Sequence, residues 1–154
     1  MSDRISEHVS FKEGIKSHTA TRLNIDNAPS SLDLINMKTI CEKVFEPLRE
    51  FVGGPIAINS FYRSPKLNSA IGGSTTSQHC KGSALDIDDK YGYKTNAEMF
   101  EYIKCNLDYD QMIWEFGDIN NPDWVHVSYV SENVNRRRCL IAYKEKGRTK
   151  YKEL

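Results

Sequence analysis

The chain is 154 residues long, 39% hydrophobic and 27% charged, with a formal net charge of zero. That length supports one domain with its own core and not two, so residues 1–154 are read as a single domain, with the core over about 10–143. No apolar run approaches the roughly eighteen residues of a membrane span, and the polar residues 1–7 lack the apolar stretch of an export signal, so neither a membrane protein nor a chain exported by the usual route is expected.

Ser10-Phe11-Lys12-Glu13 is a capping box and opens a short helix expected to end near His18. Residues 19–29 read as loop. Neither His8 nor His18 has a carboxylate at ligand spacing, so both are assigned to surface or loop. Ser30 or Ser31 caps a second helix. Its apolar positions Leu34, Met37, Ile40, Cys41, Val44, Phe45 and Leu48 recur at three and four and form one stripe. Pro47 is expected to kink or loosen the last turn, and Gly53-Gly54-Pro55 to stop the helix. Residues 56–62, β-branched and aromatic, predict a strand. Pro65 is well placed to start a short helix ending at Gly72-Gly73.

Residues 74–83 form a polar loop. Residues 84–88 alternate apolar with acidic, which predicts a strand with Asp86 and Asp88 on one face. A helix follows over 95–106, with Ala97, Phe100 and Ile103 inward. Strands are predicted over 111–116 and 124–129, joined by a turn at 117–122, with a last candidate over 139–143. Helices come first and strands later, without regular βαβ alternation. That argues an α+β class with a mainly antiparallel sheet and helices packed on one side.

The four cysteines, Cys41, Cys80, Cys105 and Cys139, are scattered, so neither a zinc finger nor a disulfide framework is expected. Cys41 and Cys105 fall on apolar helix faces and read as core thiols. Cys80 adjoins His79, and neighbours in an extended segment point to opposite sides, so the two do not both reach one metal. Residues 136–154 carry eight Lys/Arg against Glu145 and Glu153, leaving the rest of the chain acidic. Such an end can hold an anionic polymer such as cell wall or nucleic acid. The preferred reading is a solvated strand with a frayed end, so no nucleic-acid partner is expected.

Two segments carry the chemistry. One is Ser77-Gln78-His79-Cys80-Lys81-Gly82-Ser83-Ala84-Leu85-Asp86; the other is Asp123-Trp124-Val125-His126-Val127. Two imidazoles, a carboxylate and an open position for water make a zinc site of the catalytic type. His79 and Asp86 are too far apart for one helical face. A loop folding back into a strand can join them, with Gly82 as its turn. His126 alternates with Val125 and Val127, so the valines can face the core while His126 faces a cleft. A further carboxylate is needed for proton transfer. Asp123 is the first choice and Glu115, one strand earlier, the second. Arg63 can stabilise an oxyanion or hold a substrate carboxylate. Asp88 is either a partner for a ligand histidine or a solvent-facing residue, and Trp124 is a candidate cleft wall.

The run S-x-H-x-x-G-x-A-x-D over Ser77 to Asp86 resembles the zinc D-alanyl-D-alanine carboxypeptidase family. That family includes VanX-type D,D-dipeptidases and phage L-alanyl-D-glutamate endopeptidases, and hedgehog domains share its fold. The resemblance covers about Ser10 to Tyr129 and looks closest to the small phage-type members. It implies one Zn2+ held by His79, Asp86 and His126, the acid of a [DE]-x-x-H motif at Asp123, and an upstream arginine at Arg63. Ser77 would help seat the substrate or the metal loop. A histidine that some members carry five residues before the last ligand is Asn121 here.

The activity implied is hydrolysis of a peptide bond in peptidoglycan stems, by a D-Ala-D-Ala carboxypeptidase or an endolysin-like L-Ala-D-Glu endopeptidase. The alternative is a zinc-bound, non-catalytic binding or virion protein on the same fold. A monomer is expected, made in the cytoplasm and acting on the wall after release or within a virion.

Overall fold

The computed structural model describes residues 3–154. A short hairpin, β1 (Arg4–Ser6) and β2 (Val9–Ser10), leads into α1 (Phe11–Ile15). The Ser10 capping box is formed: Glu13 N–H donates to Ser10 Oγ at 3.0 Å, and Ser10 N–H donates to Glu13 Oε1 at 3.1 Å. Helix α2 (His18–Leu23) follows, inside the stretch read as loop. Its start is a Ser17 N-cap accepting from Ala20 N–H at 3.1 Å, and its end is Asn24 at φ 54. Six residues with one buried side chain, Ala20, show no stripe for a periodicity argument to detect.

Helix α3 (Ser31–Ile40) runs through a π turn (Cys41–Phe45) into α4 (Glu46–Val52). The irregularity precedes Pro47, which sits in the first turn of α4. A proline ring clashes with the carbonyl four residues back, and the π turn widens the helix at that point. Then come β3 (Ala57–Ser60), α5 (Pro65–Ala70), a 3-10 turn (Gln78–Lys81), β4 (Ala84–Asp88) and α6 (Asn96–Asn106). The chain finishes with β5 (Gln111–Glu115), β6 (Trp124–Ser128), β7 (Arg138–Glu145) and β8 (Arg148–Glu153).

The main sheet has the order β3-β4-β6-β5-β7-β8. Every pairing is antiparallel except β5 with β7. The class is therefore α+β with a mainly antiparallel sheet, as the sequence predicts.

Strand alternation divides the sheet into two faces. Leu85 and Ile87 of β4, Val125 and Val127 of β6 and Met112 of β5 join Met37, Ile40, Val44 and Leu48 in one core. Each fully buried aliphatic side chain there contributes about 1.5–3 kcal/mol. Asp86, His126 and Ile113 lie side by side on the opposite face, since Asp86 pairs with His126 and His126 with Ile113.

On α6 the buried residues are Asn96, Met99, Phe100 and Ile103. Cys105 is exposed and donates to Glu101 at 3.3 Å, which corrects its reading as a core thiol. Two residues past Ile103, it has turned away from the core by about 200°. Cys41 is buried as expected. His8 is not free of carboxylates: Glu46, distant in sequence, lies 2.6 Å from its Nδ1. The C-terminal end does not fray after one strand. It returns as β8, through Lys146 at φ 53 and Gly147 at φ 77. Positive φ at both central residues is what a tight hairpin requires.

Candidate metal centre

His79 sits on the 3-10 turn and is 1% exposed. Ser77 caps the turn, accepting from His79 N–H at 3.3 Å, and Gly82 ends it at φ 74. A Cβ on Gly82 would stand 2.5 Å from the Asp33 carbonyl oxygen, so this turn needs glycine for conformation and for space. Arg63 N–H donates to the His79 carbonyl at 3.1 Å and ties the turn to the end of β3.

The imidazole of His79 has one nitrogen satisfied. Nδ1 donates to the Phe61 carbonyl at 2.7 Å, which leaves Nε2 as the lone-pair nitrogen. Nε2 is buried and has no hydrogen-bond partner among the described residues. It lies 3.3 Å from Asp86 Oδ1, close enough to interact but without hydrogen-bond geometry. His126 Nδ1 lies 2.9 Å from the same oxygen. The ligand atoms of His79, Asp86 and His126 all fall within 4.8 Å of one another.

A buried nitrogen lone pair facing a carboxylate oxygen is repulsive unless a cation or proton lies between them. Burial holds the His79 pKa below its ordinary value, which favours the neutral, ligating form. Burial also works against the charge on Asp86, but the two imidazoles outweigh it and hold the carboxyl well below the usual range. Two neutral imidazoles and one carboxylate with an orphaned donor atom fit a divalent cation of the zinc type.

These residues lie in a cleft of about 770 Å³. Arg63, Ser77, Glu115 and Trp124 all line it. The Nε of Arg63 is buried and unpaired among the described residues. Glu115, at the end of β5, is 8% exposed, and burial pushes its carboxyl up to about 7. Asp123 is exposed and is not among the residues lining the cleft. Its backbone N–H donates to the Glu115 carbonyl at 2.9 Å, and its own carbonyl accepts from Asn96 at 3.1 Å. Asp88 does neither of the things considered for it: it is half-buried and accepts from Asn96 Nδ2 at 2.8 Å, joining β4 to α6.

Several residues of the site escaped the sequence reading. Asn27 holds the β3–α5 corner, donating to the Ile15 and Tyr62 carbonyls and accepting from Ser64 N–H at 2.7 Å. Asp110, 2% exposed, accepts from Gln78 at 3.0 Å and from Arg136 Nη2 at 2.8 Å. Tyr151 brings β8 to the cleft. No local signal marked these residues, because every partner is distant in sequence.

A family model described as Peptidase M15 matches residues 7–128. The chain belongs to the peptidase M15 family. No curated protein matches it. As an M15 peptidase it is a metallopeptidase, and its cluster of His79, Asp86 and His126 offers donors suited to a metal. The matched span ends with β6, so the hairpin of β7 and β8, which brings Leu140 and Tyr151 to the cleft, lies outside it. Among the described residues no helix is long and apolar enough to cross a membrane.

Proposed function

We propose that this M15 peptidase hydrolyses a peptide bond in peptidoglycan stem peptides, using one zinc ion held by His79, Asp86 and His126. The observation that carries the reading is the buried, unpartnered Nε2 of His79 facing the Asp86 carboxylate, with His126 Nδ1 on the same oxygen. A zinc ion bound there supplies Lewis acidity, activating water and polarising a carbonyl.

Glu115 is our choice for the base. It lines the cleft, whereas the first sequence choice, Asp123, is exposed outside it. A cation at the centre favours the ionised form that a base needs, against the burial that favours the neutral one. Glu115 takes the proton from the attacking water as the carbon–oxygen bond forms, then returns it to the leaving nitrogen as the carbon–nitrogen bond breaks. Arg63 offers a partly desolvated positive charge to the oxygen that becomes negative. The Phe61 carbonyl keeps His79 in the tautomer with Nε2 free. Ser77 supports the turn that carries His79, and Trp124 walls the cleft.

The protein would meet its substrate at the cell wall, after release by lysis or as part of a virion. The test is mass spectrometry of purified muropeptides after digestion, with and without a chelator. Peptide release that stops with the chelator and returns with zinc is expected. Zinc-loaded protein that releases nothing from any sacculus would instead support a binding protein on the same fold.

A further inference from the structure

Arg136 stands on the wall of the cleft, as does Gln78, the residue before the candidate ligand His79. It lies outside the matched span 7–128. Of the three consecutive arginines 136–138, it alone lines the cleft. Arg137 is bound to Asp108 and Arg138 to Glu153. One buried residue fixes Arg136. Asp110, just before β5, accepts on Oδ1 from the Arg136 backbone N–H at 3.0 Å and from its Nε at 3.1 Å, and on Oδ2 from its Nη2 at 2.8 Å. Oδ2 also accepts from Gln78 Nε2 at 3.0 Å, which ties the pair to the turn that carries His79. Burial works against the charge on Asp110, but the hydrogen bonds from Arg136 and Gln78 outweigh it and hold the carboxyl below its ordinary value.

A guanidinium carries its N–H groups in one rigid plane. With Nε and Nη2 held by Asp110, the edge left over is Nη1, which makes no hydrogen bond among the described residues. The side chain is still 51% exposed. A long exposed side chain ordinarily samples many rotamers, and ordering it weakens binding. Asp110 has already ordered this one in the folded chain. Its charge is also balanced, because Asp110 neutralises it at 2.8 Å. Arg136 therefore offers the cleft a directed N–H donor and not a free cation. Arg63 differs, since its Nε is buried and unpaired and it has no ion pair among the described residues.

Building on the function proposed above, we infer that Arg136 is a substrate-binding residue whose Nη1 donates to a backbone carbonyl of the bound peptide, and that Asp110 is the positioning residue that aims it. The contact reads the main chain of the substrate and not its charge. It acts on binding and not on bond breaking.

The experiment is steady-state kinetics of the full-length, zinc-loaded protein on soluble muropeptides. Arg136→Met is expected to raise KM about tenfold, with kcat within a factor of about two and zinc content unchanged. The same ratio to the parent should hold on a stem with its carboxyls amidated, because the acceptor is a neutral carbonyl. Arg136→Lys keeps the charge but loses the fork on Asp110, so it should not restore KM. Asp110→Asn should raise KM as Arg136→Met does. The double variant Asp110→Asn, Arg136→Met should do no more than either alone, since the two act as one unit. That double variant also leaves no buried carboxylate unpaired, so it keeps the test open if a single variant fails to fold. Parental KM in a folded Arg136→Met or double variant, or a loss confined to kcat, would overturn the inference and leave the peptidase reading standing. A KM effect that vanishes on the amidated stem would overturn the carbonyl assignment, and loss of zinc along with the KM change would reduce the network to a support for the turn. A parent protein that releases nothing would remove the peptidase reading and this inference with it.

Discussion

Glu115 and Asp123 are the same kind of acid at the two ends of one turn, and their surroundings separate them. Glu115 is buried on the cleft and Asp123 faces solvent. Glu115→Gln should therefore lower kcat by about 10²–10⁴ with zinc content unchanged, while Asp123→Asn retains most of the activity. Equal losses in both variants, measured on one muropeptide, would remove the base assignment from Glu115. The same burial makes a stability statement. The Glu115 pKa is raised from 4.5 to about 7 in the folded, metal-free chain. A group raised on folding contributes stability that is present below its unfolded value and lost as pH climbs through the folded one. That contribution is full below pH 4.5, and about 3 kcal/mol of it is lost as pH rises from there through 7. Urea unfolding of the metal-free protein should thus show Glu115→Gln gaining on the parent between pH 5 and pH 8. A constant difference across that range would mean Glu115 is not held protonated. Metal uptake at the proposed site has the opposite slope, because an imidazole must be neutral to ligate, so zinc added to the protein should be released on acidification below about pH 6. Metal analysis after dialysis across this range checks it.

At the scale of elements, the 3-10 turn and β4 form one device that brings His79 back over Asp86. Gly82 is its hinge, at φ 74 and packed against the Asp33 carbonyl and Met37. Gly82→Ala meets a backbone atom and an unfavourable φ together, so it should destabilise the protein by about 2 kcal/mol or more and weaken zinc binding. Thermal unfolding and a zinc titration read both; normal zinc affinity in a destabilised variant would mean the turn does not position His79. Elements with a long pattern were legible in the sequence: the stripe of α3 and α4, and the alternation of β4 and β6. Elements set by single contacts were not. Helix α2 rests on the Ser17 cap, and the break in the long helix lies in a π turn before Pro47 instead of at the proline itself. Propensity is a weak prior where an element is only a turn or two long.

Across the whole molecule, the sheet extends past the matched residues 7–128. Strand β7 pairs in parallel with β5, and Leu140 and Ala142 cover Ile113 in a small second cluster. Strand β8 forms the outer edge, with every residue exposed and Arg148, Lys150 and Lys152 alternating along it, a charged edge that resists pairing with another chain. Deleting residues 146–154 removes Tyr151 from the cleft and uncovers the edge of β7. The truncated protein should still bind added zinc at the proposed site, melt at lower temperature and self-associate. Calorimetry and light scattering test this; an unchanged melting temperature in a monomer would show that β8 has no part in the fold.

What the sequence determined by itself is local. The motif from Ser77 to Asp86, the alternation that sets His126 against two valines, and the acidic candidates on either side of one turn all follow from neighbouring residues and the periods of strand and helix. Only the tertiary structure decided which carboxylate stands in the cleft, and that Asn27, Asp110 and Tyr151 belong around the site. Those facts depend on strand order and register between segments far apart in the chain, and no local periodicity encodes which segments become neighbours.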